Sequence, residues 1–399
     1  MFLKKINMNI CDTYIILWCL YYLQGTLYPV GGVISNSLLI VSLLISIYYF
    51  FYCNLKYRIP LYLKSLNLLI VLFSIYGVIM MIDCGALVTS PYGQTIPSKN
   101  YLQTIYTSLL SVYPFYVFSY KRLLTYERLK KWIIVFIVVV TLSFFREERE
   151  RIARLISDGI VTDGVTNNSG YLFLSLIPGL MFFKSKPILQ YFALAYCTYF
   201  IIIGMKRGAI LIGIICIIFF IYSNIKQANS KQKWSIILFV LLFLFWGYAF
   251  IERFAENSSY FQSRIEDTES GNTSGRDFYY STLWNYFLME TNNLKLLFGN
   301  GAEGAFHAVG YVAHNDWLEI LLGQGILGFM IYVYYWFSFI IEWKKSNDVL
   351  TKSVIGLTLL VFFIKTMFSM SYQTMSFYTN SVLAYCLYIN NKKCNYERK

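Results

Sequence analysis

Arg276 stands in Thr273-Ser-Gly-Arg-Asp277, and His314 opens His314-Asn-Asp-Trp-Leu-Glu319. Both belong to a polar, glycine-studded stretch from Glu252 to Asp316, which also holds the only other histidine, His307. A third cation, Arg207, lies in Gly204-Met-Lys-Arg-Gly208, where flanking glycines let the backbone turn sharply. A guanidinium is a rigid, permanently charged fork that grips two phosphate oxygens at once. An imidazole with a pKa of about 6.5 can take the proton of an attacking hydroxyl. Together these types suit a transfer in which a diphosphate leaves and a hydroxyl attacks. Each also has a plainer role: a boundary arginine snorkels to headgroups, and a lone loop histidine is often incidental.

Around this catalytic trio the candidate substrate-binding residues are Lys206, Asn315, Asp316, Glu319 and Lys365. Asp316 and Glu319 share a helical face, where capping and surface solvation are the simpler explanation. Lys365 sits in the apolar run Val361-Phe-Phe-Ile-Lys-Thr-Met-Phe368. A lysine there is costly, so it should face a cavity or a partner. No HxxH, HExxH or DxD pattern flanks the histidines, so no metal or cofactor is expected. Phosphate-binding GxxxxGK[ST] loops and serine elbows are likewise missing from the sequence.

The elements that hold these residues read as membrane helices. The chain is 57% hydrophobic and 14% charged, against about 25% charged residues in a soluble domain. Its net charge of +13 is spread in short clusters between apolar runs, which argues against a nucleic-acid partner. The eight cysteines form no CxxC pair, so neither a disulfide framework nor a zinc site is legible. Met1-Phe-Leu-Lys-Lys5 leads into an apolar run without a small-residue cleavage site, and reads as a retained first span.

Apolar runs of roughly 16 to 24 residues suggest about twelve spans. They lie near 10–28, 31–53, 61–82, 101–120, 131–145, 169–183, 187–205, 208–224, 234–251, 317–341, 353–372 and 374–390. Each must be helical, because hydrocarbon offers the backbone no partners. The expected fold is therefore an all-α polytopic bundle over residues 1–251, a large loop over 252–316, and three last spans with a tail over 317–399. Lysine and arginine clusters at Lys4-Lys5, Lys56-Arg58, Lys121-Arg122, Arg128-Lys131, Lys184-Lys186, Lys226-Lys233, Lys344-Lys352 and the tail alternate with the spans. The positive-inside rule then places both termini in the cytoplasm and the large loop outside. Two other polar segments share that outer face, 83–100 and 146–168. The charged run Arg146–Arg151 in the second reads as a solvated surface helix. Within the large loop, residues 277–290 carry apolar residues at spacings of three and four, predicting an amphipathic helix on the bundle.

At these residues the chain resembles the superfamily of bacterial O-antigen polymerases and O-antigen ligases. The resemblance covers roughly 170–390. Its first motif is the turn Lys206-Arg207-Gly-Ala209. The second is Ser274-Gly-Arg276 with the aromatic-rich helix behind it and the turn Phe298-Gly-Asn-Gly301. The third, and most specific, is His314-Asn315 with Leu318 and then Gly325-Ile-Leu-Gly328. The resemblance implies a GT-C-like helical fold and a metal-independent, inverting glycosyltransferase. It implies a substrate linked to undecaprenyl diphosphate at the outer face of the bacterial inner membrane. Arg207 and Arg276 would hold the diphosphate, and His314 would orient or deprotonate the acceptor. Lys365 and His307 match no motif.

Two enzymatic readings and one transport reading follow. A polymerase would pass the glycan to a lipid-linked repeat unit, alongside a chain-length regulator and a flippase. A ligase would pass it to lipid A-core or to protein. A flippase or transporter predicts paired repeats and short loops, which the long polar stretch contradicts. The short tail after the last span and the heavy use of tyrosine and phenylalanine favour the polymerase.

Overall fold

The computed structural model describes residues 8–157, 168–256 and 275–396, with Gln262, Glu266, Ser270 and Gly271 besides. Met1–Lys5, Thr273 and Ser274 of the arginine motif, most of 257–274, residues 158–167 and the last tail residues lie outside the described residues.

The chain is almost wholly helical, as its apolar runs require. In order come α1 (Ile10–Tyr22), α2 (Val33–Lys56), α3 (Leu61–Cys84), α4 (Lys99–Leu109), α5 (Val112–Tyr120) and α6 (Tyr126–Ser157). Then follow α7 (Gly170–Leu180), α8 (Pro187–Ile203), α9 (Arg207–Gln227) and α10 (Ser230–Glu256). The last six are α11 (Arg276–Met289), α12 (Asn293–Phe298), α13 (Gly304–Val309), α14 (Asp316–Lys345), α15 (Val349–Lys365) and α16 (Phe377–Tyr396). Between α3 and α4, β1 (Leu87–Thr89) and β2 (Thr95–Pro97) pair antiparallel with Val88 opposite Ile96, a small hairpin in the expected polar segment.

Among the described residues four helices, α2, α3, α9 and α14, are long and apolar enough to cross a membrane, and several shorter apolar ones accompany them. Outward-facing Val33, Leu44, Ile188 and Phe245 are largely exposed, the pattern of a surface that meets lipid. The chain is a multi-pass membrane protein. Its interior is aromatic: Phe173 stacks on Phe200 at 4.6 Å, and Trp18 on Phe377 at 5.9 Å. Buried tyrosine hydroxyls must find acceptors or donors. Tyr14 pairs with Ser46 at 2.7 Å, and Tyr62 with Tyr335 at 3.0 Å.

Several expected spans are built differently from the simple runs. The fourth, 101–120, is broken between α4 and α5, because Pro114 has no N–H to offer the Leu110 carbonyl. The fifth span and the charged run after it form one continuous helix, α6, with no glycine or proline to separate them. That charged run is also more than a solvated face: the Arg146 guanidinium donates to the Gln24 carbonyl, and Glu147 accepts the Ser169 N–H at 3.1 Å. The eleventh span stops at Lys365, and the chain turns through 366–376 before α16. The tenth, α14, is interrupted at Gly325, whose φ of 67° and ψ of −166° no helix contains.

That interruption is filled by the turn after α12. With the ladder broken, the carbonyls of Leu322 and Gly323 lose intrahelical donors. Asn300 N–H takes the first at 2.8 Å, and Gly301 N–H the second at 2.9 Å. The backbones touch so closely that a Cβ on Gly325 would collide with the Leu297 carbonyl. Glycines at 299, 301, 304, 323 and 325 thus allow the loop to insert into a broken membrane helix.

Candidate active site

The first half of α14 fixes His314. Asn315 is its N-cap, and the side-chain oxygen accepts the N–H groups of Trp317 at 2.9 Å and Leu318 at 3.2 Å. Asp316 is fully buried. Its Oδ1 accepts the Ser371 N–H at 2.8 Å, while Oδ2 accepts the Tyr332 hydroxyl at 2.5 Å and the Tyr372 N–H at 3.2 Å. Its own N–H donates to the Thr366 carbonyl at 3.0 Å. Glu319, also buried, accepts the Ala313 N–H at 3.1 Å. The surface role expected for these two carboxyls is therefore corrected: both are interior anchors, one for the turn after α15 and one for the residue before His314. Between them His314 adopts φ +50°, a conformation that non-glycine residues rarely hold without such bracing.

A helix stands where one was expected, α11, but only Leu283 of it is buried, while Phe278, Trp284, Leu288 and Met289 are exposed. Gly275, at φ +74°, is the N-cap of α11, and Arg276 is its first residue. Tyr280, one turn on and on the same face, donates its hydroxyl to the Met367 carbonyl at 3.1 Å and the His314 carbonyl at 3.3 Å. This tyrosine staples α11 across the start of α14 and the end of α15, bringing Arg276 beside His314. The sequence reading missed Tyr280, although its spacing of four from Arg276 was visible.

The third element is the turn between α8 and α9. Met205 carries φ +52°, and Lys206 is the N-cap of α9. Arg207 opens the helix half-buried. A Cβ on Gly208 would stand 2.5 Å from the Tyr171 hydroxyl, so the glycine lets Tyr171 pack on the helix start. Lys365 lies beneath. Its Nζ donates to Thr374 Oγ1 at 2.6 Å and sits 4.4 Å from the centre of the Tyr171 ring. The partner expected for this buried lysine thus exists, in Thr374, Tyr171 and the field of Asp316.

His314 feels both neighbouring elements. Its ring reaches solvent, yet enough protein surrounds it that partial desolvation pushes its pKa below the ordinary value. The cations of Arg276 and Lys206 push it the same way. The imidazole is therefore neutral at pH 7, in a field that would attract an anion. Arg276 also acts on Tyr171 and Tyr280, so the cations of α9 and α11 and the imidazole before α14 share one site. Residues 192–333, which contain Arg207, Arg276 and His314, match the family described as O-antigen ligase. This stretch is an O-antigen ligase family domain. Members of that family are polysaccharide-transferring enzymes of surface-polysaccharide synthesis, and the family implies lipid-linked glycan substrates. No curated protein matches the sequence.

Within the O-antigen ligase domain, His307 is set apart from His314. It closes α13 and approaches Cys84 Sγ at the end of α3, with Nε2 at 3.9 Å. Burial lowers its pKa also, with neither cation contributing. Glu303 adopts φ +56° before α13, and burial raises its carboxyl to about 7. Among the described residues no three His, Cys, Asp or Glu side chains are grouped to hold a metal.

Proposed function

We propose that the chain is a polysaccharide polymerase. It transfers an undecaprenyl-diphosphate-linked glycan onto a lipid-linked repeat unit at the outer face of the bacterial inner membrane, with both termini cytoplasmic. The observation that carries the reading is the convergence of Arg276, Lys206 and a neutral His314 on one site within the O-antigen ligase domain. An acceptor hydroxyl attacks the anomeric carbon as the bond from that carbon to the diphosphate oxygen breaks. The electron pair leaves with undecaprenyl diphosphate, whose growing charge Arg207, Arg276 and Lys206 stabilise. His314, neutral before the reaction, takes the hydroxyl proton. Attack opposite the leaving group inverts the anomeric centre, and no step requires a metal.

Asn315, Asp316 and Glu319 act in this scheme by positioning. They hold the backbone on either side of His314, and Lys365 supports the floor from beneath Tyr171. Product release would hand the longer glycan back to the same site, with a flippase supplying repeat units and a chain-length regulator as partner. The ligase reading has the family's own description in its favour. The heavy tyrosine and phenylalanine content, 36 and 33 residues, supports the polymerase as in the sequence reading. A deletion strain separates them. Single repeat units remaining on lipid, with the polymer ladder lost, identify a polymerase; long polymer stranded on undecaprenyl diphosphate identifies a ligase.

A further inference from the structure

A second cavity lies away from the candidate site. It lies at the far end of the same helices, between the last turns of α9, the last turn of α14 and the first turn of α15, and measures about 540 Å³. The candidate site is at the N-terminus of α9, so some 20 residues, about 30 Å of helix, separate the two. Lys226 and Lys352 line this cavity, with Ser223, Ser346 and Asn347 among its polar groups and Trp343 as an aromatic wall. Lys352 Nζ stands 6.0 Å from the centre of the Trp343 ring. The acidic residue close by, Asp348, caps α15 by accepting the Thr351 N–H at 2.9 Å and its hydroxyl at 2.6 Å. Exposed Lys344 and Lys345 add to the positive charge of this end.

An apolar stripe leads into the cavity. Leu211, Ile214, Ile218 and Tyr222 of α9 are 46%, 52%, 63% and 60% exposed, spaced by three and four on one face. Tyr222 lines the cavity, and Lys226 follows it one turn on. From Leu211 to Tyr222 the stripe runs about 17 Å, roughly one leaflet of a hydrocarbon core about 30 Å thick. Lipid tails and an anionic head would both be met by one continuous surface, with an interfacial tryptophan at the boundary.

We propose that this cavity binds the anionic headgroup of a membrane phospholipid, its acyl chain lying along the exposed face of α9. Lys226 and Lys352 neutralise the phosphate, and the serine and asparagine groups complete its shell. The proposal is independent of the glycan-transfer reading.

The test uses the full-length protein in detergent, titrated with phosphatidylglycerol or with phosphatidylcholine of the same acyl chains and read by native mass spectrometry. The unaltered protein should retain one phosphatidylglycerol in preference to phosphatidylcholine. Lys226→Gln/Lys352→Gln should cut that preference by on the order of tenfold. Lys344→Gln/Lys345→Gln, exposed lysines outside the cavity, should leave it intact. No headgroup preference in the unaltered protein overturns the proposal, whatever the variants do. Equal loss in both double variants overturns it too, since diffuse charge would then suffice. Displacement of phosphatidylglycerol by millimolar inorganic phosphate would mark a soluble-anion site instead.

Discussion

Replacing Asp316 separates positioning from chemistry at this site. Three donors converge on its carboxyl: the Ser371 N–H, the Tyr372 N–H and the Tyr332 hydroxyl. Asp316→Ala leaves all three buried without an acceptor. Each stranded donor costs about 1–3 kcal/mol before relaxation. Water entry and local adjustment reduce the sum, and the loss expected is about 3–5 kcal/mol. Asp316→Asn keeps an acceptor for Ser371 and lets the Tyr332 hydroxyl rotate, but points an amide N–H at that of Tyr372. One mismatched pair costs about 1–3 kcal/mol. Because Asp316 ties the end of α15 to the start of α14, function should fall in the same order, Asn before Ala. The assay is reversible SDS unfolding of the protein in mixed micelles, paired with the polymer ladder of complemented cells. Equal stability of Asp316→Ala and wild type would refute the anchoring argument. So would an unstable variant whose ladder is complete.

Four further outcomes follow from the same geometry. Tyr280→Phe removes one hydroxyl shared between the Met367 and His314 carbonyls; it should cost only about 1 kcal/mol of stability, yet slow transfer about tenfold or more by loosening His314. Selective isotope labelling of histidine gives two ring signals to titrate by NMR. Arg276→Ala should raise the His314 pKa while His307, which does not feel that cation, stays put. The raised Glu303 carboxyl contributes stability that is full below the unfolded value and is lost as pH rises from about 4.5 through about 7. Glu303→Gln should therefore flatten the pH dependence of the melting temperature across that window and stabilise the protein at pH 8. Gly325→Ala forces a Cβ into a region of φ and ψ that only glycine holds easily, against the Leu297 carbonyl. It should abolish accumulation of folded protein in the membrane, read by detergent-resistant fluorescence of a fusion.

Much of the helical framework was legible, because a bilayer enforces helix wherever apolar runs are long. The turn at Lys206-Arg207 and the helix after Arg276 were visible from glycine placement and from spacings of three and four. What the sequence hid were interruptions whose cause is distant. Gly325 reads as one glycine in an apolar run, and only the inserted turn at 299–301 explains the break there. Residues 366–372 look apolar enough to continue a span, yet the Asp316 carboxyl takes the N–H groups of Ser371 and Tyr372, which a continuing helix would have used. Asp316 and Glu319 looked like surface caps, because short-range pattern does not reveal burial by elements far along the chain. Tyr280 and Tyr171 were lost among 36 tyrosines, with no local mark to distinguish them.

The central claim is that Arg276 and His314 serve one transfer from a diphosphate. Purified protein in proteoliposomes, given a single undecaprenyl-diphosphate-linked repeat unit, tests it most directly. Lengthened lipid-linked glycan and released undecaprenyl diphosphate are measured together by mass spectrometry. The account predicts one undecaprenyl diphosphate released per bond formed, in the presence of EDTA as without it. Arg276→Ala and His314→Ala should each lose about 100- to 1000-fold in rate with folding preserved. Unchanged rates in both variants, or release of undecaprenyl diphosphate without any new glycosidic bond, would contradict it.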